Sequence, residues 1–137
     1  MAERVLLIAT YVVLLALGVL LATIEAFLVP QRLGGGTEGL SAALAIFGNA
    51  GLGLLGGFGT TTRGGAIAPA IGWFAAIALV VLYAPGGDVV IPGGLPADPG
   101  IVVVGTITLL GGLLGSIVPI PLTGRYTARV NRPKGLT

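Results

Sequence analysis

Apolar residues fall into four blocks, Val5 to Val29, about Leu40 to Gly59, Ala66 to Ala84 and Ile101 to about Pro121. Each approaches the roughly 20 helical residues that cross a hydrocarbon layer of about 30 Å. In lipid an unpaired backbone N–H or C=O costs several kcal/mol, so a spanning segment must be a helix or part of a closed barrel. A barrel would need about eight or more alternating strands, and this chain has no such alternation. The pattern predicts an all-α fold, a polytopic membrane protein with a four-transmembrane-helix bundle. It forms one integral membrane domain over residues 1–137, with spans at about 5–29, 40–59, 66–84 and 101–121 and a basic cytoplasmic tail over 122–137.

The connections differ in character. "PQRLGGGTEG" predicts a flexible link between spans one and two, whereas "TTTRGG" is short enough to make spans two and three antiparallel neighbours. Between spans three and four, "APGGDVVIPGGLPADPG" places Pro85, Pro92 and Pro99 seven residues apart. Pro-Gly pairs set turns, so this is predicted as a Pro/Gly-rich outer loop with a short extended piece at Val89 to Ile91.

Composition excludes several classes of chemistry. With 55% hydrophobic and 9% charged residues and a mean hydropathy of +1.05, the chain is far from an ordinary water-soluble domain. It has no cysteine and no histidine, which removes disulfides, thiolate and imidazole metal sites and histidine-based triads. No paired carboxylates or phosphate-cradling motif stand in for them. The expectation is a non-enzyme without cofactor or metal, in which Glu25 and Asn49 are the candidate ion or proton residues.

The sequence pI of about 9.5 does not mark a nucleic-acid partner, because the net charge is only +2 and the basic residues cluster beside an apolar run. Counting Lys and Arg in the connections sets an orientation. A cytoplasmic N-terminus puts Arg4, Arg63, Arg125, Arg129, Arg132 and Lys134 on one side and only Arg32 on the other. The prediction is a multi-pass cell-membrane protein with cytoplasmic N- and C-termini, Tyr83 and Tyr126 near the interfaces, and Arg125, Arg129, Arg132 and Lys134 touching anionic lipid. A cleavable signal peptide fits the first run poorly, since its apolar core exceeds the usual seven to fifteen residues and no A-x-A triplet follows.

Membrane helices associate by close packing, which small residues at every fourth position permit. Span two carries Ser41, Ala45, Asn49, Gly53 and Gly57 at that spacing; span four has Gly111 and Gly115 beside Thr108, Gly112 and Ser116. Spans three and one offer Ala68, Gly72, Ala76 and Gly18, Ala22, Ala26. These stripes predict a compact bundle or tight oligomer, with Gly18, Ala45, Gly53, Gly57, Gly72, Gly111 and Gly115 as packing positions. The alternative at "LGLLGGFG" is a span broken into half-helices around an ion. Asn49, near the middle of span two, is either interhelical glue or a polar point on a permeation path.

Glu25 is the one acidic residue within an apolar block. Counted from Arg4, Val5 to Ile24 already covers about 30 Å at 1.5 Å per residue, which makes Glu25 an interfacial carboxylate near Arg32, Thr106 and Thr108. A register that draws Ala26 to Val29 into the lipid would instead bury it, and a buried membrane acid is a functional candidate.

Two resemblances bear on function. Four short spans with one glutamate are superficially similar to the small multidrug resistance family, in which a first-span glutamate with aromatic partners in the third span exchanges protons for cationic drugs. Trp73 comes early in span three, so the same depth count sets it far from Glu25 and does not reproduce that chamber. In composition, rich in Ala, Gly, Leu and Val with six arginines to one lysine, the whole chain resembles uncharacterised four-span integral membrane proteins of actinobacteria. That resemblance implies an accessory or structural membrane subunit acting through helix contacts with itself or a partner; the alternative is a small proton- or cation-coupled transporter or channel using Glu25.

Overall fold

The structure, a computed structural model, describes residues 1–29, 39–82 and 99–130. It is helical, with no strand among the described residues. The first block is helix α1 (Ala2–Leu28). The second is α2 (Leu40–Ala43), a π-helical turn (Leu44–Gly48) and α3 (Asn49–Thr60). The third is α4 (Arg63–Leu82), and the fourth is α5 (Pro99–Ile117) followed by α6 (Pro119–Val130). Among the described residues four helical stretches are long and apolar enough to cross a membrane. The Pro/Gly-rich loop as far as Asp98, Arg32, Tyr83, Arg132 and Lys134 lie outside the described residues, while Pro99 and Gly100, expected in that loop, open α5.

The interior is built from small residues and the exterior from large apolar ones. Ala22, Ala26, Ala45 and Ala66 are almost wholly buried, while Val5, Leu6, Phe47, Leu55, Leu79 and Leu82 stand on the surface. Along α1, Leu14, Gly18, Ala22, Glu25 and Ala26 form the buried stripe, and α4 lies against it. A Cβ at Gly18 would run into the carbonyl of Pro69, and one at Gly72 into the carbonyl of Leu15. The two backbones therefore touch directly.

Helices α3 and α4 meet in the same way at Gly56 and Gly65, where a Cβ on either would strike the other's carbonyl. Pro69 sits inside α4 and has no N–H for the carbonyl of Gly65, four residues earlier. That carbonyl points at the Gly56 Cα, a geometry in which a weak Cα–H···O contact offsets part of the loss.

The tripeptide Thr60-Thr61-Thr62 makes the turn between these helices. Thr62 caps α4, its Oγ1 accepting from the Gly65 N–H at 3.2 Å, three positions into the helix. The same hydroxyl is bonded to Thr60 Oγ1 at 2.8 Å and to Tyr11 OH at 2.7 Å, tying the turn to α1. Thr61 ends α3 in the left-handed region, φ 52° and ψ 29°, where a β-branched residue is strained.

Two irregularities fall where the apolar pattern does not place them. The glycine cluster at 52–59 is continuous helix rather than a break; the disturbed turn is Leu44–Gly48, directly before Asn49. A π-helical turn inserts one residue and so rotates the helix beyond it. Of the tail predicted over 122–137, residues 122–130 belong to a helix packed on the bundle. Pro119, first in α6, needs no N–H at that position, and α6 runs to Val130 with Pro119, Thr123, Gly124 and Thr127 buried. Pro119 packs on Gly53 and Thr123 on Gly57, and the Tyr126 ring meets Phe58 edge to face at 5.1 Å. The positive charges over 125–134 favour a solvated tail, but the small residues at 119, 123 and 127 continue a packing stripe.

Relieving the strained turn should stabilise the fold, whereas adding a methyl group between α3 and α4 should weaken it. Thr61→Gly is expected to raise unfolding stability in detergent by about 1 kcal/mol, and Gly65→Ala to lower it by about 1–3 kcal/mol. Equal midpoints for both variants and the parent, by thermal or dodecyl sulfate titration, would contradict this account of the turn and the contact.

Candidate functional site

Three helices bring one polar side chain each to a common point. Glu25 on α1 is 0% exposed, Trp73 on α4 1% and Asn49 at the start of α3 3%. Trp73 Nε1 donates to Glu25 Oε2 at 2.7 Å, and Asn49 Nδ2 donates to Oε1 at 3.2 Å. The Asn49 amide also donates to the Ala45 carbonyl, at 2.9 Å across the π-helical turn, which aims the amide at the carboxylate. Among the described residues each carboxylate oxygen thus receives one neutral donor.

The surroundings are apolar. Ala22, Trp73, Ala76 and Ile77 form the buried cluster beside the carboxylate, with Leu109 of α5 against it. Gly112 lets α5 lie flat on the indole, since a Cβ there would enter the ring. The described basic residues, Arg4, Arg63, Arg125 and Arg129, are distant, on the first turns of α1 and α4 and on α6. Among the described residues no group of three metal-ligating side chains occurs.

This geometry overturns the separation of Glu25 from Trp73 and buries the carboxylate between helices. That separation assumes that α1 and α4 start at one level, and they do not. Tyr11 is bonded to Thr62 and lies against Gly64, so Arg63 is level with Tyr11 rather than with Arg4. Arg4 lies about 10 Å below that level at 1.5 Å per residue, and Glu25 about 21 Å above it, against about 15 Å for Trp73. The remaining gap of about 6 Å is within the span of an indole side chain.

Thr108, expected near Glu25, instead shares a hydrogen bond of 2.9 Å with Ser41, a second buried polar contact that joins α5 to α2. Ser116 Oγ is buried with no partner among the described residues. The seven packing positions all face neighbouring helices of the same chain. Gly18 and Gly72 join α1 to α4, Gly53 and Gly57 meet α6, and Gly111 meets Ile46; Gly115 meets the carbonyls of Ala45 and Ile46, with Ala45 fully buried. Arg125 and Arg129 are exposed on α6. Trp73, Gly56 and Gly65 are the contributors that spacing alone does not single out; Trp73 has one signal, being the chain's only tryptophan. No protein-family model, curated protein or solved structure is significantly similar to this chain.

The Trp73–Glu25 bond should appear as energetic coupling. Trp73→Phe and Glu25→Leu each strand a partner in the interior, at about 1–3 kcal/mol apiece. The double variant should be less destabilised than the sum of the two by about 1 kcal/mol or more. Strict additivity of the three unfolding free energies would mean that the two side chains do not interact.

Proposed function

We propose that the chain is an integral protein of the cell membrane that crosses it four times with both termini cytoplasmic, and that Glu25 is its functional centre, binding and releasing a proton or small cation within the bundle. The observation that carries this reading is a fully buried carboxylate whose partners among the described residues are the neutral donors Trp73 and Asn49. A residue needed only as glue could be a glutamine, which would make comparable bonds without a charge to bury. A carboxylate keeps the capacity to exchange its counter-ion, and such acids within membrane helices are functional by default. The large apolar side chains on the exterior support the membrane setting, and the six-to-one excess of Lys and Arg supports the orientation.

A second reading, an accessory subunit that works through helix contacts, is favoured by the outward face of α3. A Cβ at Gly51 or Gly59 would meet nothing within 4 Å, and Leu55 between them is 72% exposed. That face leaves room for a neighbouring helix.

Proteoliposomes separate the two. Under an imposed pH or cation gradient the wild-type protein should carry a flux that Glu25→Gln abolishes and that survives Gly51→Leu. A flux indifferent to Glu25→Gln would overturn the ion reading. No flux, together with an oligomer or partner complex that Gly51→Leu breaks, would replace it with the accessory reading.

A further inference from the structure

The end of the bundle that carries Arg63 holds a cleft of about 470 Å³ between the start of α4 and α6. Its lining is Arg63, Ile120, Pro121, Gly124, Arg125 and Ala128, so an arginine from each of two helices borders one space, and no carboxylate is among the described residues that line it. The acidic side chains of the described helices are engaged elsewhere. Glu25 is bonded in the core, and Glu3 lines a separate groove with Leu6, Thr10 and Leu55. Gly124 is what brings Arg63 across: a Cβ there would lie 3.0 Å from Arg63 Nε, so the guanidinium passes over the place where another residue would carry a side chain. The remaining wall, Ile120, Pro121 and Ala128, is apolar.

We propose that this cleft binds the phosphate of an anionic phospholipid, with Arg63 and Arg125 on the phosphate oxygens and the apolar wall against the glycerol and upper acyl region. The inference rests on the membrane reading given above, and it goes beyond general attraction of a basic tail to lipid by assigning a discrete site. Guanidinium groups suit it because their planar donors pair with phosphate oxygens two at a time, and they cannot lose their charge. A free phosphate ion offers the same oxygens, but it leaves the apolar half of the cleft uncovered, so the lipid is the better fit. Occupied, the site ties α6 to the first turn of α4. Arg129 does not line the cleft, so it separates a built site from diffuse attraction.

The test is lipid retention. Full-length protein in nanodiscs of phosphatidylcholine with a minor fraction of phosphatidylglycerol is extracted in mild detergent, and bound lipid is read by native mass spectrometry. The wild-type protein should retain phosphatidylglycerol selectively. Arg63→Gln and Arg125→Gln should each weaken retention about fivefold and the pair about thirtyfold, with Arg129→Gln unchanged. Equal retention by the Arg63 and Arg125 variants, or an equal loss in Arg129→Gln, would overturn the site. Competition by millimolar inorganic phosphate would overturn the lipid as its occupant. Carbonate extraction of the same membranes tests the membrane reading independently: protein that stays in the pellet without lipid selectivity defeats only this inference, and protein that is released defeats both.

Discussion

The hydrogen-bonded carboxylate of Glu25 is the constraint on which the rest of the arrangement depends. A carboxylate without exposed surface must find donors inside the protein, and here they come from two other helices, Trp73 from α4 and Asn49 from α3. Each donor needs its own supporting geometry. Trp73 reaches Oε2 because α1 and α4 touch through Gly18 and Gly72, and Gly112 on α5 leaves space for the ring. Asn49 reaches Oε1 because the π-helical turn before it rotates the amide inward and bonds it to Ala45. Disturbing any one of these contacts moves a donor away from a group that cannot turn to water.

Close backbone packing is the complementary device. With few large side chains inside, the described interior gains cohesion from helix surfaces drawn together at Gly56 and Gly65, Gly18 and Pro69, and Gly115 and Ala45. Dispersion over such faces adds up only where the fit is continuous, and a single added methyl group interrupts it. These stripes are satisfied within the chain, so they need no partner helix to cover them. The polar bonds of Ser41 with Thr108, and of Tyr11 and Thr60 with Thr62, then fix helix register where small residues alone would allow sliding.

Much of the helical layout was legible in the sequence, because long apolar blocks leave a chain few alternatives. The small residues spaced by four also pointed to the helix faces. The partner of Glu25 was not legible, since depth counted from Arg4 assumes flush helix ends, whereas the Tyr11–Thr62 bond sets α1 about 10 Å lower than α4. No local pattern encodes such an offset; it depends on which small residues meet. The π-helical turn was hidden for a related reason, since "LAIFG" is an ordinary helical sequence and the contacts of this turn with α5 are long-range. In α6 the arginines masked a packing stripe, and the glycines of "LGLLGGFG" drew attention to a stretch that proved to be regular helix.

Trp73 is the only tryptophan, so its indole N–H gives a single resonance in a 15N-labelled sample in micelles, and that resonance tests the central claim directly. A buried indole N–H bonded to the Glu25 carboxylate should be shifted downfield and exchange slowly with deuterium. It should also move when Glu25 is replaced by glutamine. A resonance at the position of a free indole, exchanging rapidly and indifferent to Glu25→Gln, would contradict the account.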